Sequence, residues 1–454
     1  MFKKIEIWIL YLAIVLCIIF CIIFGTLVRQ ELVGTKKLGF ISKYALIIAE
    51  LPINIKNIYS QIIIKNDGFA MLAHSNRHSK KPIFKRHMNI ERNELLVLSK
   101  FDGNLNKSSV EIIDLNNFSI IHKYNPDIKL INDEAIKNNK KEFFRIKADS
   151  KPNRFMLYHP LIDENGNLIS HSETGPIFKL DICSNLKWVN SKERFHHSNE
   201  IDHEGNYWAP SHMEPYSKTI QKYRTRKGLL DDAITKISSE GKILYQKSIF
   251  DILIEGKIVN YNDLYTNNDP IHLNDIEPVV EDGLHWKKGD LFLSLRNLNT
   301  VILYRPSKNK VLKIIKGPFF MQHDVDVISN NEISIFNNNY IFSKNGPITK
   351  HIDILVYNFD NNKFSKKFNS SIINNDIKTS SGGLSDFLND GSIFIEEQNF
   401  GRLLIINKNG KLEWEYINKS KNNNVFQTTW SRIIKDESFI KILKNQIKNK
   451  KCQN

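Results

Sequence analysis

Three histidines, His197, His272 and His323, open similar stretches of this 454-residue sequence. Each is followed by a run of alternating polar and apolar residues and then by a turn. His197 and His323 precede the turn pairs Glu204-Gly205 and Asn330-Asn331 by the same interval, while His272 lies somewhat further ahead of Asp282-Gly283. An imidazole, with an ordinary pKa of about 6.5, can act as nucleophile, general base or general acid near neutrality. Arg296, at the end of the strand expected after His272, could offer a fixed cation to a developing anion. Plainer roles compete with these. Arg296 can simply pair with a carboxylate, and a lone strand histidine is more often packed or solvated than catalytic. The scattered His74, His78, His87 and His122 fit that plain reading. His196, beside His197, should point to the opposite face of a strand.

The three histidines meet only if the fold superposes the stretches that carry them. From about Glu94 onward the sequence consists of short β-rich runs separated by turns, and one pattern recurs from His159, His197, His272, His323 and Ser381. Asn-Gly and Asp-Gly pairs supply the positive φ angles that tight hairpins need. Later turns such as Ser239-Glu-Gly-Lys and Lys408-Asn-Gly-Lys close the unit. With a weaker copy from Glu94 to Tyr124, six units are expected. Units of about four strands that cannot bury both faces alone are what a β-propeller stacks around a channel. The expected fold is therefore all-β, a six-bladed β-propeller in which residues of similar phase converge at one mouth of the channel. A pair of β-sandwich domains also has short alternating strands but gives no reason for histidines at a repeated phase.

A chain of 454 residues exceeds the size at which one ordinary core stops growing, which also calls for repeats or several domains. The 41% hydrophobic and 25% charged residues exclude a disordered chain. The net charge of +15 is spread along the chain with an excess of Asn and Ile as well as Lys. No arginine-rich helix, zinc-finger spacing or RNA-binding aromatic motif accompanies it, so nucleic acid is not an expected partner. Of the 4 cysteines, Cys17 and Cys21 fall in an apolar run, and Cys183 with Cys452 makes no recognisable disulfide framework or metal-ligand spacing.

That apolar run, Ile7 to Val28, carries no charged residue. As a helix it spans about 33 Å, the hydrocarbon thickness of a bilayer. No small-residue cleavage site follows Cys21, so an uncleaved anchor is expected rather than a signal peptide. Lys3 and Lys4 on one side and Arg29, Lys36 and Lys37 on the other leave its orientation open. Apolar residues at helical intervals after Gly39 (Ile41, Tyr44, Ala45, Ile48, Leu51) mark a juxtamembrane helix before a connector. The expected domains are an anchor over 1–30, a helix and connector over 31–80, and the propeller over 81–454.

Four stretches then carry a family resemblance: Phe195-His-His-Ser-Asn-Glu-Ile-Asp-His-Glu-Gly-Asn, His272-Leu-Asn-Asp-Ile, Leu293-Ser-Leu-Arg-Asn-Leu-Asn-Thr and Gly317-Pro-Phe-Phe-Met-Gln-His-Asp. In this order they resemble the bacterial arylsulfate sulfotransferases, which are six-bladed propellers. The resemblance covers roughly Phe155 to Trp430. It implies transfer of a sulfuryl group from an aryl sulfate ester to a phenol through a sulfated histidine, with no nucleotide donor and no cofactor. By motif match His323 would be the nucleophile, His272 and Arg296 would hold the sulfonate oxygens, and His197 would complete the cluster. It also implies a propeller on the periplasmic or other extracytoplasmic side of the membrane. The sequence departs from the family at Gly283 to Gly289, an insertion, and before Phe155, where nothing matches. The family's disulfide is not expected from Cys183 and Cys452. Two other functions compete: a membrane-tethered propeller that only binds a ligand or protein partner, and a hydrolase using the same histidines with water as acceptor. Neither a metal ligand set nor an oligomeric state can be read from the sequence.

Overall fold

The computed structural model describes residues 6–33, 38–67, 71–138, 153–223, 229–260, 264, 268–343 and 346–452. It divides into two units, Met1–Gly68 with Arg224–Gly228, and Phe69–Tyr223 with Leu229–Asn454.

The first unit contains two helices. Ile7–Val33 is apolar on every face and exposes its large side chains all round, unlike a surface helix with one apolar stripe. It is long and apolar enough to cross a membrane. The helix Phe40–Asp67 runs on through Pro52 instead of stopping there. Ser42 Oγ joins the two helices by donating to Glu31 at 2.9 Å. The flanking Lys3, Lys4, Lys36 and Lys37 lie outside the described residues.

The second unit is mostly β and propeller-like. Its strands form antiparallel sheets, and consecutive strands are neighbours in nearly every case. Strands between Tyr158 and Ser248 make one eight-stranded sheet, and those between Leu273 and Lys316 make a four-stranded sheet. Val325–Val327, Glu332–Asn337, Asp353–Asn358 and Lys363–Lys367 make another. The strands between Leu384 and Ile417 form a sheet extended by Phe84–Arg86, which pairs with Leu412–Ile417. In the last sheet Arg432–Ile434, near the end of the chain, pairs with Leu95–Asp102. The weak copy over Glu94 to Tyr124 thus receives its inner strand from the far end of the chain.

Two local rules build these sheets. In the outer turns an Asp or Asn side chain caps the main chain that follows it. Asp163, Asp181, Asp202 and Asn407 each accept from N–H groups two and four residues on. A residue at positive φ, such as Gly205 or Gly410 at 77°, closes the turn. At the inner strands a side chain of one repeat accepts from the main chain of the next. Asp232 takes the N–H of Leu273 (3.1 Å), Ser198 that of Ile276 (3.0 Å) and Asp275 that of Val325 (2.9 Å). Asp324 takes that of Ser385 (3.0 Å), and Glu396 takes those of Trp430 (2.8 Å) and Ser431 (2.6 Å). These buried bonds link successive repeats around the channel, and the apolar cores lie between sheets. One such core joins Ile234, Leu273, Ile276, Leu293 and Ile302.

The helix Glu437–Asn449 closes the body. Asp436 caps it by accepting from Phe439 N at 2.7 Å, and Ile440 and Leu443 are buried against Ile128, Ile131 and Phe155. This helix carries Cys452 to Cys183, in the turn before Leu186–Phe195, and the two form a disulfide. The sequence reading, which expected no bridge from this pair, is corrected here. Separation along the chain gave no hint that the terminal helix packs beside that turn. The bridge closes a loop with a sequence separation of 269, worth about 5.6 kcal/mol as an upper figure in the chain-entropy picture. Cys452→Ser should therefore cost about 2–5 kcal/mol, read as a lower denaturant midpoint for the full chain in detergent. An unchanged midpoint, with or without reductant, would contradict this role for the bridge.

Candidate functional site

His197 and His272 occupy the same backbone position, a left-handed residue just ahead of an inner strand, with φ of 60° and 55°. Non-glycine residues take that conformation at a cost, and such positions cluster at functional sites. Met321, φ 57°, is the left-handed residue of the following repeat, and the matching roles of Asp275 and Asp324 at the next inner strand agree with this alignment. His323 therefore lies two residues past the phase of the other two histidines. Equal intervals to a turn had suggested one phase for His197 and His323. The correction changes their register and not their meeting, since the His323 ring still lies beside that of His197.

The three rings converge. The centroid of His197 is 4.9 Å from that of His272 and 6.1 Å from that of His323. Trp430 stands 6.2 Å from both His197 and His323. Together with Arg296 and Tyr158 these residues line a cavity of about 190 Å³.

His323 is held at both nitrogens. Asn338 gives its amide protons to the carbonyls of Thr379 (3.1 Å) and Gly382 (2.8 Å), so its Oδ1 faces His323 Nδ1 at 2.6 Å. With the Met321 carbonyl also 3.1 Å from Nδ1, that nitrogen carries the proton. The Nε2 lone pair receives the N–H of Gly382 at 2.9 Å. Gly382 has φ 63°, and a Cβ there would fall 1.9 Å from Gln398 Oε1, so a side chain at this position would displace Gln398 and strain the backbone. Burial, with the charges of Arg296 and His272, holds the imidazole pKa well below its usual range. His323 is therefore neutral, with a lone pair on the nitrogen that the Gly382 N–H meets.

Arg296 and His272 are joined through the main chain, Arg296 N donating to His272 O at 3.0 Å. The short 3₁₀ turn Arg296–Leu298 begins there. His272 Nδ1 bonds Asp269 Oδ2, and Asn297 Nδ2 donates to Asp269 O at 2.6 Å. Arg296 Nη1 donates to Asn297 Oδ1 at 2.9 Å, while its buried Nε has no hydrogen-bond partner. Among the described residues its guanidinium forms no ion pair with a carboxylate, in contrast to Arg432 on Glu200. Burial lowers its proton affinity and nearby Asp269 raises it. His196 leaves the cavity as its neighbour enters it, yet its Nδ1 stays 2.8 Å from His197 Nδ1. The left-handed turn at His197 breaks the simple alternation of faces expected for a strand.

The other histidines have ordinary contacts. His78 lies 3.4 Å from Glu397 and His87 3.5 Å from Glu415. His122 Nδ1 meets Lys450 Nζ at 2.6 Å, and His74 lies edge-on to Phe400. Trp430, Asn338 and Gly382 escaped the sequence reading as site residues. Ser381-Gly-Gly opens one of the recurring units, so aligning the units residue by residue would have pointed to Gly382. Trp430 lies just ahead of the strand Arg432–Ile434 that closes on the N-terminal sheet, where no repeat pattern flags it. A separate cavity of about 490 Å³ is strongly acidic, with Glu200, Glu277, Asp324, Asp326 and Asp386 against Arg432 and Lys435. Burial, and then mutual repulsion, raise the carboxyl pKa values of Glu277, Asp324 and Asp326.

No curated protein matches the chain. Among solved structures, a protein of unknown function from Bacteroides caccae shares 12% identity over 76% of this chain and 99% of that one, with a TM-score of 0.47. Virginiamycin B lyase from Staphylococcus aureus shares 11% identity over 57% of this chain and 69% of its own, with a TM-score of 0.33. The family model described as arylsulfotransferase (ASST) matches residues 163–419. That match spans more than half of the sequence and contains all three cavity histidines and Arg296, and on it the chain belongs to the arylsulfotransferase family.

Proposed function

We propose that this protein is an aryl-sulfate sulfotransferase that moves a sulfuryl group from an aryl sulfate ester to a phenol, with His323 as the covalent carrier. The observation that carries the proposal is the neutral, doubly held His323 beside the guanidinium of Arg296. Asn338 keeps the proton on Nδ1, so Nε2 attacks sulfur once the Gly382 N–H yields it. The N–S bond forms as the S–O bond to the aryl group breaks, and the phenolate leaves with the electron pair. A second phenol then attacks the sulfur, its proton passes to a base in the cavity, and the N–S bond breaks. Arg296 and His272 hold the sulfonate oxygens, and His197 faces the bridging oxygen. A guanidinium in a buried site is worth far more to a developing anion there than in water. Trp430 and Tyr158 supply aromatic walls of the kind an aryl ring packs on.

The sheet from Tyr158 to Ser248 counts as two repeat units in this reading, which returns a six-bladed propeller over residues 81–454 behind an anchor and a connector. A disulfide between Cys183 and Cys452 suits an oxidising compartment. It therefore favours an extracytoplasmic body over a cytoplasmic one.

A chromogenic aryl sulfate given to the full chain should release phenolate only when a phenol acceptor is supplied, and His323→Asn should lower turnover at least about 1,000-fold. Release independent of acceptor would instead mean hydrolysis, and equal release in the variant would remove His323 from the reaction. The pH profile provides a second check. Because the imidazole pKa of His323 lies well below 6.5 when folded, the nucleophile stays neutral as pH falls through that value. Donor turnover, read after an alkaline quench, should hold level from about pH 8 to about pH 6. A tenfold loss per unit beginning at about pH 6.5 would contradict the assigned environment.

A further inference from the structure

A second cluster lies one residue from the cavity and faces away from it. His212 and Asp232 are register partners on adjacent strands, and His196 is held beside them by its N–H on the Pro210 carbonyl at 3.1 Å. Among the described residues, these three alone bring His, Cys, Asp or Glu ligand atoms within 4.8 Å of one another as a group of three or more. All three are buried. Nε2 of His196 and Nε2 of His212 lie 3.4 and 3.3 Å from one oxygen, Asp232 Oδ1. Both contacts fall short of good hydrogen-bond alignment, and Asp232 Oδ1, His196 Nε2 and His212 Nδ1 are buried without another hydrogen-bond partner. The other oxygen, Oδ2, is already occupied by the N–H of Leu273 at 3.1 Å.

Buried polar atoms without partners need an explanation. Tetrahedral zinc with bonds of about 2.05 Å separates neighbouring ligand atoms by about 3.35 Å. Both distances from Asp232 Oδ1 have this value. The two imidazoles stack with centroids 4.3 Å apart. A tetrahedral angle at the metal would set them about 5 Å apart, so loading opens the rings by less than about 1 Å.

We infer that His196, His212 and Asp232 bind a divalent cation of the zinc class through two imidazole nitrogens and one carboxylate oxygen, with a fourth position left for water. Two imidazoles and a carboxylate suit zinc and its first-row neighbours better than calcium or magnesium. A metal on His196 Nε2 leaves the proton on Nδ1, which then donates to His197 Nδ1 at 2.8 Å. His197 must in turn carry its own proton on Nε2, its remaining nitrogen, and offers the cavity an N–H donor. With the proton on His196 Nε2 the polarity reverses, and His197 presents a lone pair. The cation thus acts as a positioning group for His197. This consequence rests on the sulfuryl-transfer reading, whereas the metal site itself does not.

The full chain, purified in detergent without a polyhistidine tag and stripped with chelator, is titrated with Zn²⁺ and separately with Co²⁺. About one zinc per chain should bind, and Co²⁺ should give the visible absorption of a tetrahedral site. Zinc should also raise the melting temperature. Asp232→Asn, which keeps an acceptor for the Leu273 N–H, and His212→Ala should each abolish stoichiometric binding. A wild-type chain that takes up no zinc and shows no cobalt bands overturns the inference without reference to either variant. Full binding by both variants overturns it equally. In the turnover assay, chelation should slow the wild type and leave His197→Gln insensitive. A zinc-binding chain indifferent to chelation would overturn the positioning role. A chain without any turnover would count against the transfer reading while leaving the metal result to stand.

Discussion

The bonds between the inner strands of successive repeats are the constraint on which the rest depends. Asp232, Ser198, Asp275, Asp324 and Glu396 each accept main-chain N–H groups from the next repeat, and all are buried. A buried acceptor left unpaired would cost about 1–3 kcal/mol, so each bond ties its repeat to one register relative to the next. The left-handed residues just ahead of those strands inherit that register. His197 and His272 face one another because the strands behind them are tied in this way, and His323 joins them from the following repeat.

The same arrangement separates two electrostatic environments. On the histidine side, burial removes charge from His197 and His323 and leaves Arg296 without a carboxylate on its guanidinium. On the acidic side, burial and crowding together raise the carboxyl pKa values of Glu277, Asp324 and Asp326. Both follow from one rule, that charge is costly where water is excluded unless an opposite charge lies beside it. The Arg296 cation, with Asp269 nearby but no carboxylate paired to its guanidinium, stands with a neutral imidazole where an anionic, tetrahedral sulfuryl group would sit.

Much of this was legible in the sequence, though unevenly. Asn-Gly and Asp-Gly turns marked the hairpins, because only certain residues accept positive φ, and the uncharged run after Glu6 marked a helix that could span a bilayer. Recurrence brought His197, His272 and His323 together as candidates, and Arg296 joined them from its place at the end of the strand expected after His272. The phase of His323 was misjudged because the turns after the inner strands vary in length. Counting back from a turn is therefore a poorer ruler than the backbone bonds between repeats. Asn338 and Gly382 act through a hydrogen-bonded amide and a close main-chain approach, and neither leaves a pattern in residue types. The Cys183–Cys452 bridge and the group of His196, His212 and Asp232 are tertiary coincidences of distant or unpatterned positions.

The central claim is that His323 carries the sulfuryl group between donor and acceptor. The most direct measurement mixes the full chain with an aryl sulfate in the absence of phenol, quenches in alkali within one turnover, and maps the peptides by mass. One sulfo group should reside on the peptide containing His323, in proportion to the phenolate released, and should disappear when a phenol is added before the quench. Phenolate released without any sulfated peptide, or a sulfo group fixed on another residue, would contradict the account.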